Sequence, residues 1–147
     1  MTRFRLDHVG VVVTDIAEAT RFFRELGFRC GEPAEVGGPW VDRVIGVVGA
    51  RSIVASVSAP DSDSWLELTE FQHPVATGAP EALPANALGY RHVAFEVPDI
   101  VEIVERTRAA GYALVGEVVD YEDVYRLAYI RGPEGMIVEV AQDLRAT

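Results

Sequence analysis

The chain has 147 residues, a formal net charge of −10, 49% hydrophobic residues and one cysteine, Cys30. That length suffices for one compact unit or for two small modules sharing a core, and no apolar run approaches the ~20 residues of a membrane span. The acidic balance excludes a nucleic-acid backbone as partner. The lone cysteine excludes an internal disulfide and, with an N-terminus that lacks an apolar signal-peptide core, fits a reducing cytoplasm.

Residues 4–14 alternate and are rich in valine, which predicts a buried strand. Asp15 stands where a helix cap belongs, with Glu18 three residues later. Ile16, Ala19, Phe22, Phe23 and Leu26 then recur at helical spacing, and Gly27 supplies the stop. From Phe28 onward the period changes to two, and residues 43–48, 52–58 and 65–71 read as strands. Gly37-Gly38-Pro39 reads as a loop that presents Trp40. Residues 72–88 shift to Pro, Ala, Gly and Asn, the composition of a linker.

The second half repeats the first. With His92 set over His8, residues 7–28 align with 91–112 without a gap. His8/His92, Val9/Val93, Val13/Val97, Asp15/Asp99, Ile16/Ile100, Glu18/Glu102, Arg24/Arg108 and Gly27/Gly111 are then identical, 8 of 22 positions. Strand 90–97, the Asp99 cap and a helix to Ala110 follow, then strand candidates 113–119, 125–131 and 136–141, the last entered through a tight Gly132-Pro133-Glu134-Gly135 turn. Each half is β-α-β-β-β. The fold class expected is α+β, a single domain of two tandem βαβββ modules, 4–71 and 89–141, joined by linker 72–88. The modules pair their sheets into a curved mixed sheet around a shared cleft, either within one chain or across a dimer.

Each half ends in an apolar strand interrupted by a glutamate, Trp65-Leu66-Glu67-Leu68 and Ile137-Val138-Glu139-Val140. A charge there is costly to bury unless it is paired or holds a metal. His8 and His92 open the first strands. A lone strand histidine is ordinarily a packed core residue and a lone glutamate a solvent-facing one, but their repetition points to two imidazoles and two carboxylates suited to Ni²⁺, Co²⁺, Mn²⁺, Zn²⁺ or Fe²⁺.

The doubled βαβββ pattern, the two opening histidines and the segment Gly132-Pro133-Glu134-Gly135-Met136-Ile137-Val138-Glu139 resemble the vicinal oxygen chelate superfamily. That group includes glyoxalase I, methylmalonyl-CoA epimerase, fosfomycin-modifying enzymes, extradiol dioxygenases and bleomycin-resistance proteins. The resemblance spans residues 4–141 and places His8, Glu67, His92 and Glu139 on the metal-ligand positions. Glyoxalase I-like enzymes commonly carry this set, methylmalonyl-CoA epimerases often have Gln where Glu67 stands, and extradiol dioxygenases use two histidines and one carboxylate. It implies a metal-dependent lyase or isomerase that stabilises an enolate-type anion on a small carbonyl or acyl-thioester substrate, with Glu67 or Glu139 as the base. It also implies a homodimer. The alternative on the same fold is a binding protein that sequesters an antibiotic or other natural product; an extradiol-type dioxygenase is third.

Trp40, Tyr125 and Arg126 are the candidate substrate contacts. For the aromatics, Tyr129 and Tyr121 included, the competing reading is a core or rim place; for Arg126 it is a surface ion pair. Asp120, Glu122 and Asp123 read as a solvated loop that would act as a lid if it covers the site. Cys30 reads as a passive thiol.

Overall fold

In the computed structural model, which describes residues 5–78 and 81–145, both halves are built on one plan. Phe4, where the first strand was expected to begin, and Ala79 and Pro80 of the expected linker lie outside the described residues. Contacts divide the chain into two units, Met1–Gly78 and Ala79–Thr147. In the first, β1 (His8–Val12) leads into α1 (Ile16–Glu25), followed by β2 (Arg29–Cys30), β3 (Ala34–Gly37), α2 (Pro39–Ile45), β4 (Arg51–Ser58) and β5 (Trp65–His73). In the second, β6 (His92–Glu96) leads into α3 (Ile100–Ala109), β7 (Ala113–Leu114), β8 (Val119–Tyr121), β9 (Tyr125–Arg131) and β10 (Ile137–Asp143). The sheets run β1-β5-β4-β2 with β3 also on β4, and β6-β10-β9-β7 with β8 also on β9. β1 and β6 are parallel to the last strand of their unit, and the remaining pairings are antiparallel. This is the tandem βαβββ architecture, with the second strand of each module split into two short segments.

The repeated sequence signals carry repeated local devices. The Asp15 carboxylate accepts from Glu18 N–H at 2.9 Å, and Asp99 accepts from Val101 and Glu102 N–H at 2.9 and 3.0 Å, satisfying first-turn donors that a helix leaves unpaired. Each helix closes through a glycine at positive φ, Gly27 (93°) and Gly111 (95°). Their N–H groups donate to Arg24 O and Arg108 O, and those of Phe28 and Tyr112 to Phe23 O and Thr107 O. That double pattern needs a left-handed residue, which glycine adopts without a Cβ penalty. A third device was not read in the sequence. Glu70 Oε2 of β5 accepts from Ile16 N–H at 2.9 Å, and at the equivalent place Gln142 Oε1 of β10 accepts from Ile100 N–H at 3.1 Å. The last strand of each unit thus ties down the start of its helix.

Helical and strand periodicities meet on one face of each sheet. Ala19, Phe22 and Phe23 of α1 and its C-cap Leu26 are buried with Ala55, Val57, Leu66 and Leu68. Ile100, Ile103, Val104 and Thr107 of α3 are buried with Ala128, Ile130, Val138 and Val140. Each fully buried large apolar side chain contributes roughly 1.5–3 kcal/mol. The other face of each sheet is turned away from its helix.

Two expected strands are corrected. Residues 43–48 form no strand; α2 runs to Ile45, with Pro39 in its first turn and Gly46 as its left-handed cap. The valine-rich run imitates a strand, but Pro early and Gly late are helix punctuation. Asp42 then fastens the following turn, accepting from Gly49 and Ala50 N–H at 2.7 and 2.9 Å. Trp40 consequently sits inside a helix rather than a loop, and β2 and β3 were not anticipated as separate strands. Residues 113–119 are interrupted. Pairing with β9 lapses after Val115, whose N–H reaches Tyr129 O, and resumes at Val119.

Within the second unit, residues 81–84 lie against Arg91 and the β9–β10 hairpin. Arg131 Nη1 donates to Leu83 O at 2.9 Å and to Gly135 O at 2.8 Å, and Arg91 donates to Leu83 O and Pro84 O, each at 3.3 Å. Gly135, in the 3₁₀ turn Pro133–Gly135, has φ of 71° and lies so close to Glu81 that no Cβ fits. Among the described residues no helix is long and apolar enough to cross a membrane.

Candidate functional site

Register fixes which side chains share a face. His8 is opposite Trp65 and Gly10 opposite Glu67, so His8 and Glu67 are neighbours on the face of the first sheet turned away from α1. Ile137 is opposite His92 and Glu139 opposite Ala94, which places His92 and Glu139 in the same relation on the second sheet. There the two groups meet: His92 Nε2 lies 3.2 Å from Glu139 Oε2, with side-chain exposures of 38% and 18%. The His8 ring lies 4.7 Å from Trp65 between centroids, and the His92 ring 5.0 Å from Tyr129.

Tyr129 joins the pair directly. It is opposite Glu139 across β9 and β10, and its hydroxyl lies 3.4 Å from His92 Nδ1. Burial, then the charge of Glu139 and a hydrogen bond to it, push the Tyr129 phenol above its ordinary range. On the first sheet Asp7 Oδ2 lies 2.8 Å from His8 Nδ1. Neither residue was singled out in the sequence for this place. A signal for Tyr129 existed: counting back through the Gly132–Gly135 turn pairs Arg131 with Ile137 and therefore Tyr129 with Glu139.

The chemistry of the donors fits a divalent cation. Two donors each about 2.1 Å from one ion, at angles of 90–110°, stand roughly 3.0–3.4 Å apart, which brackets the His92–Glu139 separation of 3.2 Å. Each unit offers one imidazole and one carboxylate on a single face, fewer than the three protein ligands of a catalytic zinc site. Among the described residues no group of three or more His, Cys, Asp or Glu side chains is placed to hold a metal.

The substrate candidates make other contacts. Trp40 is 60% exposed on α2. Tyr125, on the Glu139 side of the strand alternation, has its hydroxyl 3.3 Å from an Arg145 nitrogen, and that guanidinium lies 5.3 Å from its ring centroid. Arg126 alternates with Tyr125 and lies on the α3 side with Ala128 and Ile130, opposite Glu139. There it grips Asp120 through two bonds of 2.6 and 2.8 Å, and that hydrogen bonding holds the Asp120 carboxyl below its usual range. With Val101, Val104, Glu105, Arg108 and Val119 it lines an open groove of about 620 Å³. Asp120 belongs to β8, and Glu122 and Asp123 make a left-handed turn after it. Burial pushes the Cys30 thiol up, with Arg24 opposing, and its Sγ lies 3.5 Å from Thr20 O.

Comparison with known proteins agrees with this architecture. The sequence profile described as Glyoxalase/Bleomycin resistance protein/Dioxygenase superfamily matches residues 5–140. An ethylmalonyl-CoA/methylmalonyl-CoA epimerase of Cereibacter sphaeroides is 33% identical over 116 residues, covering 76% of this chain and 75% of that protein. A glyoxalase family protein of Bacillus cereus is 40% identical with a TM-score of 0.91, covering 97% of this chain and 96% of the other. TnmS3, an antibiotic-binding protein from a Streptomyces species, shares the fold at 19% identity and a TM-score of 0.62, covering 97% and 98%. The chain belongs to the glyoxalase/bleomycin resistance protein/dioxygenase superfamily.

Proposed function

We propose that this protein is a metal-dependent enzyme of the glyoxalase and epimerase kind. It would remove a proton beside the carbonyl of an acyl thioester or other small carbonyl substrate and return it, so that the product is an epimer or isomer. The observation that carries this reading is the half-buried His92–Glu139 pair at 3.2 Å, with its counterpart His8–Glu67 at the same register of the first sheet. The 33% identity to an ethylmalonyl-CoA/methylmalonyl-CoA epimerase supports the substrate class.

His8, Glu67, His92 and Glu139 are the proposed ligands. A divalent cation held by them would polarise the substrate carbonyl and reduce the cost of negative charge on its oxygen. The chain itself supplies the rest. Glu139 is the proposed base: its carboxylate stands in mid-strand beside Tyr129, and to act it must come within about 3 Å of the α-hydrogen. Glu67 holds the equivalent place and is the proposed partner that returns the proton from the other side of the carbanion. Trp40 and Tyr125 are proposed to contact the acyl or carrier portion. Arg126, already gripped by Asp120, would have to release it to bind an anion.

The test is deuterium exchange at the α-carbon of methylmalonyl-CoA in D₂O, with metal content measured on protein purified without chelators. We expect about one divalent ion per ligand set and exchange that falls roughly 10²–10⁴-fold in Glu139→Gln. Undiminished exchange in both Glu139→Gln and Glu67→Gln removes the base roles. Absence of exchange combined with tight binding of a hydrophobic natural product replaces the enzyme with a sequestering protein.

A further inference from the structure

His8 and His92 occupy equivalent places, but the groups on their Nδ1 atoms are chemically different. His8 Nδ1 faces the Asp7 carboxylate at 2.8 Å, whose other oxygen lies 3.7 Å from Arg5. The second copy has Arg91 where the first has Asp7, and Arg91 is turned to the carbonyls of Leu83, Pro84 and Tyr90. The Nδ1 of His92 is served instead by the Tyr129 hydroxyl at 3.4 Å, delivered from another strand, while its Nε2 faces Glu139 at 3.2 Å.

An ionised carboxylate only accepts hydrogen bonds. Asp7 therefore places the hydrogen of His8 on Nδ1 and leaves a lone pair on Nε2, the arrangement by which carboxylates prepare histidines for metals. A phenol both donates and accepts. The hydroxyl reaches both Glu139 and His92 Nδ1 but has one hydrogen to give; with Nε2–H of His92 donating to Glu139, that hydrogen turns from Glu139 to the bare Nδ1. When Nε2 becomes a ligand, the ring hydrogen must sit on Nδ1, and the same hydroxyl turns to accept it. The ring exchanges tautomers, one N–H bond breaking as the other forms, with no net proton gained or lost.

We propose that Asp7 and Tyr129 are the positioning residues of the two histidines. Asp7 holds His8 permanently in the tautomer that ligates through Nε2, and Tyr129 lets His92 change tautomer as Nε2 passes from Glu139 to a divalent cation. Only the exchange at His92 rests on the metal reading above; the tautomers of the metal-free protein do not.

Two-bond ¹H–¹⁵N NMR of the metal-free protein, with neutral imidazoles, reads each tautomer directly. The expected result is Nδ1–H at His8 and Nε2–H at His92, with zinc converting His92 alone. Asp7→Ala should return His8 toward Nε2–H and weaken zinc binding roughly 10–100-fold. Asp7→Asn, whose amide oxygen still accepts from Nδ1–H, should restore most of both. Tyr129→Phe should weaken zinc binding similarly while leaving the His8 signals in place, a selectivity that general destabilisation would not give. Nε2–H at His8 in the wild type, or an Asp7→Ala variant with unchanged tautomer and zinc affinity, overturns the role of Asp7. Unchanged zinc affinity in Tyr129→Phe overturns that of Tyr129. Failure of zinc to bind the wild type overturns the exchange at His92 together with the metal proposal, a result distinguishable from the first because the His8 tautomer is read without metal.

Discussion

Replacing Gly135 by alanine should cost more stability than the same change at Gly111, and the difference measures how closely residues 81–83 lie against the last hairpin. Both glycines sit at positive φ, 71° and 95°, where an L-residue is penalised by about 1–2 kcal/mol. A Cβ added at Gly111 meets nothing within 4 Å, so strain is the whole of its cost. At Gly135 the same atom would press into the Glu81 carbonyl group, 2.6 Å from its carbon, and lie 3.0 Å from Ala82 Cα. Those are backbone atoms, so the segment itself must move, and with it the Leu83 carbonyl that Arg131 binds at 2.9 Å. Losing a hydrogen bond from a charged donor costs about 1.5–3 kcal/mol. The totals are then about 1–2 kcal/mol for Gly111→Ala and about 2.5–5 kcal/mol for Gly135→Ala. Urea unfolding of both variants gives the comparison. Combining Gly135→Ala with Arg131→Ala should cost less than the sum, because both break one contact. Equal losses at the two glycines would show that the close approach of Glu81 contributes nothing.

Glu70→Ala and Gln142→Ala each remove the acceptor of a helix-opening N–H, so each should lower stability by roughly 0.5–2 kcal/mol and speed amide exchange in the first turn of its own helix; unchanged exchange refutes the tie. Trp40 is 60% exposed, so Trp40→Ala should change stability by no more than about 0.5 kcal/mol while raising KM if it touches substrate, and a large loss of stability would refute its exposed placement. Hydrogen bonds from Arg145 lower the Asp143 carboxyl to about 2. Because the folded value lies below the unfolded one of about 3.9, the stabilisation is present above that value and is lost as pH falls toward 2. Asp143→Asn should therefore flatten the acid side of the stability curve between roughly pH 4 and 2, and an unaltered acid transition refutes the pairing.

Local signals were the legible ones. Asp15 and Asp99 as caps, Gly27 and Gly111 as stops, and the buried stripe between them are encoded within a dozen residues of chain, and the repeat doubles each signal. α2 was missed because Val44, Ile45, Val47 and Val48 supply strand propensity, which outweighed the helix punctuation of Pro39 and Gly46. β2, two residues long, offers no period to detect. At the candidate site, histidine and glutamate stood out in the sequence because they recur. Tyr129 and Asp7 do not recur: an aromatic in an alternating strand reads as core, and an acid beside a strand start reads as surface. Alternation alone places Arg126 on the side of β9 that carries Ala128 and Ile130, away from Tyr129.

The two copies have diverged unevenly, and the pattern bears on function. Register equates Val57 with Ile130, Ala55 with Ala128, Leu66 with Val138 and Leu68 with Val140, all under the helices. These differ by one methylene or not at all, as packing demands, since buried volume changes are costly in either direction. On the opposite faces the same register equates Ser56 with Tyr129, Ser58 with Arg131, Trp65 with Ile137 and Thr69 with Ala141. Size, polarity and charge all change. Between those rows His8/His92 and Glu67/Glu139 stay identical. The α1 and α3 cores do not require them, because these residues lie on the other side of the sheets, and an exposed strand position is satisfied by many polar residues. A repeated donor set with unlike surroundings is what a symmetric cation and an asymmetric organic ligand would together require. On the proposed function the repeated donors would answer the ion, and the unlike residues, Trp65 and Ser56 on the first sheet and Tyr129 and Arg131 on the second, the two unlike ends of a substrate. Exchanging the surroundings, with Tyr129→Ser and Ser56→Tyr in one chain, should therefore abolish preference between substrate epimers and, at saturating zinc, leave the cation stoichiometry intact although the affinity falls as in Tyr129→Phe; loss of stoichiometry at saturation would mean that the surroundings, not the repeated donors, hold the cation.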